Sequence, residues 1–277
     1  IRRFGELMRD INPAPFFSAC LNDCLEKRRD YTAGGGRYNP HGIPLASLSV
    51  WVDSLAAIRH LCWEKRLCTL EELLAAVRND WRDAESLRRA ALSAPHWGDG
   101  TPEPRILIDR TLHDLQAAIA DLYTERGGHF QLGIYNYRDI IDWARRTRAT
   151  PNGRRGGDWL AQGLTPGRLH SPDEITTVFN SCAAADLGDC AANSVLTVSL
   201  ARSGVDETVL AGVEQVFAAS GAGMLQLNCL NREELESARR HPEKHSDLIV
   251  RLYGYSARFV ALSTEMQEEF ISRQLYS

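Results

Sequence analysis

Missing from this sequence is any apolar run near the roughly 20 residues that a bilayer-spanning helix needs. No signal peptide is expected either. A basic excess is also lacking. The formal net charge of -4 and a pI near 6.1 offer no general attraction for nucleic acid or anionic membranes. There is no internal repeat and no low-complexity tract. Cysteines are present but not in a useful order: Cys20, Cys24, Cys62, Cys68, Cys182, Cys190 and Cys229 make an odd, scattered set of seven. That is no secreted disulfide framework. Cys20 and Cys24 are spaced for one helix face, but no second pair completes a zinc site. These absences lead to the expectation of a soluble, cytoplasmic protein with reduced thiols and no bound metal, nucleic acid or membrane.

What is present is ordinary globular material. The chain has 277 residues, 44% hydrophobic and 25% charged, enough for a sizeable core in one or two domains. It begins at Ile1 rather than methionine and is expected to be a fragment or processed piece. Pro13 and Pro15 precede a stretch, Phe16 to Arg28, whose Phe17, Leu21, Cys24 and Leu25 predict a helix. A glycine-rich loop follows, Thr32-Ala-Gly-Gly-Gly-Arg-Tyr-Asn39. The stripe Leu48, Val52, Leu55, Ile58 and Leu61 predicts a helix over Leu45 to Arg66. Thr69 and Glu72 form a capping box for another, from Leu70 to about Trp81. After a turn-rich connection at Ala94 to Pro104, helix is predicted from about Ile106 to Glu125. Gly127-Gly128 and the loop Ala149 to Gly157, with its Asn152-Gly153 turn signal, bracket a mixed segment. Ser171, Pro172 and Glu174 are expected to start a short helix. Strand-like runs lie at Val195 to Leu200, Met224 to Leu230 and Leu248 to Val260. Asn231 with Glu234, and Ser263 or Thr264, cap the helices that follow the last two. Helices alternating with late strands predict a mixed α/β architecture.

The segment Leu248-Ile-Val-Arg-Leu-Tyr-Gly-Tyr-Ser-Ala-Arg-Phe-Val260 is two β-rich runs broken by one glycine. Read alone, that glycine marks a bulge or a close backbone approach. Its surroundings, however, resemble the glycyl radical signature Arg-Val-x-Gly-Tyr of the pyruvate formate-lyase family. Arg251, Gly254 and Tyr255 match, Leu252 replaces the usual valine, and Tyr253 stands where the family usually has a small residue. Asp23 to Asn39, Val52 to Ile58, Ala149 to Arg154, Met224-Leu-Gln-Leu-Asn228 and Ala238 to Lys244 resemble further family segments in the right order. The run Leu262 to Arg273 is similar to the family's closing helix.

The resemblance implies half of the glycyl radical enzyme α/β barrel, which is built from two antiparallel half-barrels, plus the C-terminal glycyl radical loop in its interior. Residues 1–150 would belong to the barrel domain and residues 151–277 to the glycine radical domain. It implies a protein-based radical at Gly254, supported by Arg251, Tyr255 and Ser256. A radical S-adenosylmethionine activating enzyme would generate it, and anaerobic metabolism and a homodimer would follow. Glycine suits the task because an α-carbon radical must be planar, and without a Cβ planarisation meets no side chain. In the family a cysteine in a Gly-Cys-x-Glu loop passes the radical to substrate, and that loop is absent here. Cys24-Leu-Glu26 mimics it, but its neighbours place Cys24 in a later family segment as a buried helical cysteine. The partner implied is therefore an N-terminal half carrying the thiyl cysteine. Gly-Tyr-Ser-Ala-Arg-Phe favours a dehydratase or eliminase lyase on a small polar substrate. The alternatives are formate acetyltransferase-type C–C cleavage, or a stand-alone radical carrier or split subunit.

Other features are weaker. His241 and His245 are four apart, as two ligands on a helix face would be, but no third ligand is near. The triple glycine and Gly153 to Gly157 lack a P-loop lysine. Ser47 and Ser49 form no nucleophile elbow. Arg145, Arg146, Arg148, Arg154 and Arg155 make a basic patch without aromatic platforms, expected to be a solvated or subunit-facing surface.

Overall fold

The computed structural model describes every residue except Ile1, Ser171, Asp173 and Ser277. In chain order the helices and strands are α1 Arg2–Ile11, α2 Pro15–Ala19, β1 His41–Leu45, α3 Leu48–Arg59, α4 Leu70–Arg78, α5 Glu85–Leu92 and α6 Pro102–Ile119. There follow β2 Phe130–Ile134, α7 Ile140–Arg146, α8 Ile175–Ala184, β3 Asn193–Ala201, α9 Glu207–Ala219, β4 Met224–Leu230, α10 Arg232–Arg240, β5 Ile249–Leu252, β6 Tyr255–Arg258 and α11 Thr264–Ile271. The architecture is mixed α/β, as the sequence pattern predicts. The chain divides into two compact units: Ile1–Pro44 with Thr111–Gly133 and Asp189–Ala192, and Leu45–Arg110 with Ile134–Gly188 and Asn193–Ser277.

Within the first unit, β1 and β2 are neighbouring strands. The helix expected over Phe16 to Arg28 stops at Ala19, and Asp23 and Arg28 take positive φ of 75° and 49°. The reason is a competing loop network centred on Asp30. Its carboxylate accepts from the Thr32 hydroxyl at 2.6 Å, the Ser18 hydroxyl at 2.8 Å and the Ala14 N–H at 3.1 Å. These bonds, the Thr32 hydroxyl first, hold its pKa down to about 2. Cys24 is therefore buried as expected, but in a turn rather than a helix. The triple glycine is a close backbone approach and no phosphate cradle: a Cβ on Gly35 would meet the Arg29 carbonyl at 1.9 Å.

In the second unit, local capping chemistry fixes most helix starts. The Thr69 capping box is present, with Thr69 N–H to Glu72 Oε2 at 2.8 Å and Glu72 N–H to Thr69 Oγ1 at 3.2 Å. Asn231 and Ser263 likewise cap α10 and α11. Leu45 is claimed by β1 and Ser47 turns at φ 58°, so α3 begins at Leu48, and its last turn widens into a π-turn at His60–Glu64. α4 ends before Trp81, which is buried and donates its indole N–H to the Arg154 carbonyl at 3.2 Å. α6 begins four residues before the expected Ile106. Prolines 102 and 104 are tolerated there because first-turn N–H groups have no intrahelical acceptor. α8 begins at Ile175, so Pro172 is not its first residue, and the proposed cap at Ser171 lies outside the described residues.

β3 and β4 run parallel, paired from Val195 with Met224 to Ala201 with Leu230, and α9 makes the crossover. β3 is buried along its length, as a two-sided strand of β-branched and apolar residues should be. β5 and β6 form an antiparallel hairpin, so the run Leu248 to Val260 is indeed two strands broken at the glycine. Its inner residues Leu248, Val250, Leu252 and Phe259 share a core with Leu230 of β4, Leu235 and Ala238 of α10, and Met266, Phe270 and Ile271 of α11. Phe259 and Phe270 meet edge-to-face at 6.4 Å with no exposure. Burial of each contributes roughly 1.5–3 kcal/mol.

The expected basic patch does not exist as one surface. Arg154 is 1% exposed and acts as an internal strut. Its guanidinium donates to the carbonyls of Arg148 at 2.8 Å, Ala144 at 3.2 Å, Thr147 at 3.4 Å and Asp158 at 2.7 Å and 3.0 Å. Arg155 pairs with Glu85, and Arg145 with Glu265. His241 and His245 flank a 3-10 turn rather than share a helix face, and His245 bonds the Ser237 hydroxyl at 2.9 Å.

Candidate functional site

The hairpin β5–β6 closes on a two-residue loop, Tyr253-Gly254, between the paired residues Leu252 and Tyr255. Both loop residues have positive φ, 30° at Tyr253 and 94° at Gly254. Positive φ at both central positions belongs to the turns whose twist matches a right-handed hairpin, and glycine is favoured at the second. A Cβ on Gly254 would meet nothing within 4 Å, so backbone conformation rather than crowding selects glycine.

Two buried side chains of β4 hold this hairpin. Gln226 and Asn228, two residues apart, share one face of the strand and are each 5% exposed. Asn228 exchanges two hydrogen bonds with the Arg251 backbone, accepting from its N–H at 2.8 Å and donating to its carbonyl at 3.1 Å. Gln226 accepts the Gly254 N–H at 2.9 Å. An amide pair inside an otherwise apolar strand is explained by this docking, since hairpin backbone groups brought out of water need partners. The sequence reading places Gln226 and Asn228 in a family-like segment but gives them no role. Polar residues at alternate positions of a strand bounded by Leu225, Leu227 and Leu230 were the available signal.

The four residues expected at the site are all brought together here. Arg251 and Ser256 are cross-strand partners, with the guanidinium donating to the Ser256 hydroxyl at 3.3 Å. Tyr255 is 49% exposed. Gly254 is exposed too on this chain, which spans only part of the barrel whose interior the loop is expected to enter. The tip faces outward on this chain because its Cβ side meets no other element, yet the Gln226 bond ties it to the sheet. Tyr253 is turned the other way. Its ring packs on the hydrophobic core, and its hydroxyl is buried without a hydrogen-bond partner. Burial first, and then the nearby Glu269 carboxylate, raise its pKa well above the usual phenol value.

Beneath Tyr253 lies an ion network that the sequence did not reveal. Glu269 of α11 is 2% exposed and is held by Arg168 and by Arg273, whose Nη2 lies 2.8 Å away. Burial pushes the Glu269 carboxyl up, but the two guanidinium groups outweigh it and leave the pKa below the ordinary value. Arg168 stacks on Trp159 at 5.1 Å and donates to Ser272.

None of the seven cysteines is disulfide-bonded, and the shortest recorded sulfur–sulfur contact is Cys62 to Cys68 at 3.9 Å. Among the described residues, no group of three or more His, Cys, Asp or Glu is placed to hold a metal. Among them also, no helix is long and apolar enough to cross a membrane.

Residues 3–139 match the family model described as pyruvate formate lyase-like, and residues 160–260 match the one described as glycine radical. The chain belongs to the pyruvate formate-lyase-like family of glycyl radical enzymes. It is 27% identical to (2S)-3-sulfopropanediol dehydratase of Klebsiella oxytoca over 96% of this chain and 33% of that protein. A glycyl radical enzyme from Archaeoglobus fulgidus superposes with a TM-score of 0.91 at 28% identity, covering 98% of this chain and 35% of that one. The B12-independent glycerol dehydratase from Clostridium butyricum gives 0.92 at 26%, covering 99% and 36%. The mixed α/β fold is thus that of glycyl radical enzymes, and the chain spans about a third of the length of these relatives.

Proposed function

We infer that this chain is the radical-storing portion of a glycyl radical lyase of the dehydratase or eliminase type, acting on a small polar substrate. The observation that carries the reading is the hairpin tip. Gly254 alone has no Cβ, its φ is 94°, and its N–H is held by the buried Gln226. Homolytic loss of one Cα hydrogen would leave a planar radical between an amide nitrogen and a carbonyl, and glycine meets no side-chain clash on flattening. Arg251 and Ser256 brace the two strands across from each other, and Tyr255 closes the turn. Similarity to two dehydratases supports the reaction class.

An exposed radical would not persist, so in this proposal the remainder of the enzyme covers the tip. That remainder also supplies the Gly-Cys-x-Glu loop whose cysteine passes the radical to substrate. This chain then contributes half of the α/β barrel, with residues 1–150 as barrel domain and 151–277 as glycine radical domain. A radical S-adenosylmethionine activating enzyme is the proposed partner, and the homodimer the proposed assembly. The test is anaerobic EPR of the full-length protein after treatment with such an activating enzyme. A doublet is expected, from coupling to the one α-hydrogen left on the glycine. It should collapse when glycine is deuterated at Cα and be absent from Gly254→Ala. A doublet that survives Gly254→Ala would overturn the assignment.

A further inference from the structure

The sulfur atoms of Cys62 and Cys68 lie 3.9 Å apart within the second unit. Regular helix would not bring them together. Had α3 continued, six further residues would put Cys68 about 9 Å along the axis and on another face. The chain instead leaves the helix through the π-turn His60–Glu64, where the Lys65 N–H reaches back to the His60 carbonyl at 2.8 Å. Arg66 then takes a left-handed φ of 50°, and the Leu67 N–H returns to the Leu61 carbonyl at 2.8 Å. This reversal sets Cys68 beside Cys62, one residue before the Thr69 cap of α4.

The surroundings of the pair suit it to reversible oxidation. Each thiol is partly exposed, so a small reagent can reach it. The residues between them, Trp63 to Leu67, are all exposed, so the turn can adjust without disturbing a packed side chain. On their inner side both thiols pack against one apolar cluster that includes Leu61, Leu73, Trp81 and Ala149, and this holds them side by side. Burial first, and then neighbouring Cys62, push the Cys68 thiol up to about 11. Cys68 therefore stays protonated at neutral pH, and Cys62 is the sulfur placed to react first.

We propose that Cys62 and Cys68 form a redox-sensitive staple, open as two thiols under reducing conditions and closed by a small-molecule disulfide of the oxidised-glutathione class. The Cys62 thiolate attacks the reagent's disulfide and releases one thiolate, leaving a mixed disulfide on Cys62. The Cys68 sulfur then attacks the Cys62 sulfur and releases the second. One S–S bond of the reagent is exchanged for one in the protein. Two electrons pass from the cysteines to the reagent, and the two thiol protons end on its two released sulfurs. Closure brings the sulfurs from 3.9 Å to about 2.05 Å, a shift of roughly 1 Å for each side chain. The closed staple ties the π-turn to the start of α4 and clamps the cluster beneath, where Trp81 holds the Arg154 carbonyl. The device is independent of radical chemistry and stands whether or not Gly254 is the storage residue.

The test places the full chain in graded mixtures of reduced and oxidised glutathione. Remaining thiols are trapped with iodoacetamide, and the peptides are mapped by mass spectrometry. As the mixture becomes more oxidising, a peptide cross-linked through Cys62 and Cys68 should appear, lighter by two hydrogen atoms. It should precede glutathione on the exposed Cys20, and dithiothreitol should reverse it. Closure should raise the thermal midpoint by about 3–8 °C, because a ring of seven residues constrains the unfolded chain. Cys68→Ser should stop at the mixed disulfide on Cys62 and show no such rise. If that variant fails to fold, the wild-type map and midpoint still decide. The staple is refuted if both thiols remain alkylated once Cys20 carries glutathione, or if wild-type Cys62 retains the mixed disulfide. A midpoint unmoved by oxidation would refute it equally.

Discussion

Asn228→Leu isolates the bond pair that docks the Gly254 hairpin. The side chain is 5% exposed and makes both of its hydrogen bonds to one residue, Arg251. Leucine is close in volume, so packing is kept while the Arg251 N–H loses its partner and the Arg251 carbonyl keeps only the longer bond from Gln226 Nε2 at 3.4 Å. Each unsatisfied buried group costs about 1–3 kcal/mol. The hairpin can recover part of this by lifting off and exposing the groups to water, so the net effect is about 1–3 kcal/mol on docking rather than on global stability. At about 1.4 kcal/mol per decade, exchange of the Arg251 and Gly254 amides should accelerate roughly 5- to 150-fold. Amides of α10 and of the β3–β4 ladder should change by less than threefold. Hydrogen–deuterium exchange resolved by NMR or peptide mass spectrometry reads both. Equal exchange in wild type and variant at Arg251 and Gly254 would show that the hairpin is held by its apolar face alone, and the docking argument would be wrong.

Gly254→Ala should lower stability by only about 1–2 kcal/mol, the cost of a Cβ at positive φ, because no atom lies within 4 Å of that Cβ; a thermal midpoint shift above 10 °C would mean the tip is packed. Arg154→Met should be far worse, since it strips hydrogen bonds from four carbonyl-bearing residues around the Ala149 loop. About 3 kcal/mol, or 6–12 °C in thermal midpoint, is expected, and Arg154→Lys should not rescue, because an ammonium has only three donors. Stability should also fall on mild acidification. Burial, then neighbouring His96, push the His170 pKa down from 6.5 to about 4 while its Nε2 bonds the Asn152 carbonyl at 2.9 Å. The unfolded chain then binds the extra proton first, so this contribution is whole above pH 6.5, declines as pH falls, and is gone below about 4. The swing is about 3 kcal/mol. Asp53, raised by burial, titrates in the opposite sense, its stabilising contribution lost as pH rises through its folded pKa. His170→Gln should flatten the slope of denaturant midpoint against pH between 4 and 6.5; an unchanged slope would remove His170 as its source.

Much of the fold could be read from residues that act locally. The Thr69–Glu72 box, the Asn231 and Ser263 caps, and the runs of β3 and β4 needed no knowledge of neighbours, because each satisfies its own backbone or follows its own period. The glycine between two β-rich runs was legible for the same reason. Errors came where a distant group competes with local propensity. Asp30 reaches back to Ala14 and Ser18 and ends a helix that periodicity carried to Arg28. Arg154, counted among surface arginines, is drawn inside because four carbonyls converge on it.

By itself, then, the sequence determined two β-rich runs, the glycine between them and the family to which they belong, since a motif is written in consecutive residues. Only the tertiary structure decided what supports them. Gln226 and Asn228 meet Arg251 and Gly254 across more than twenty positions of chain, and Arg168 meets Glu269 across about a hundred. Side chains this far apart become partners only when the sheet and α11 pack together, and burial then turns ordinary polar residues into anchors that cannot be given up to water.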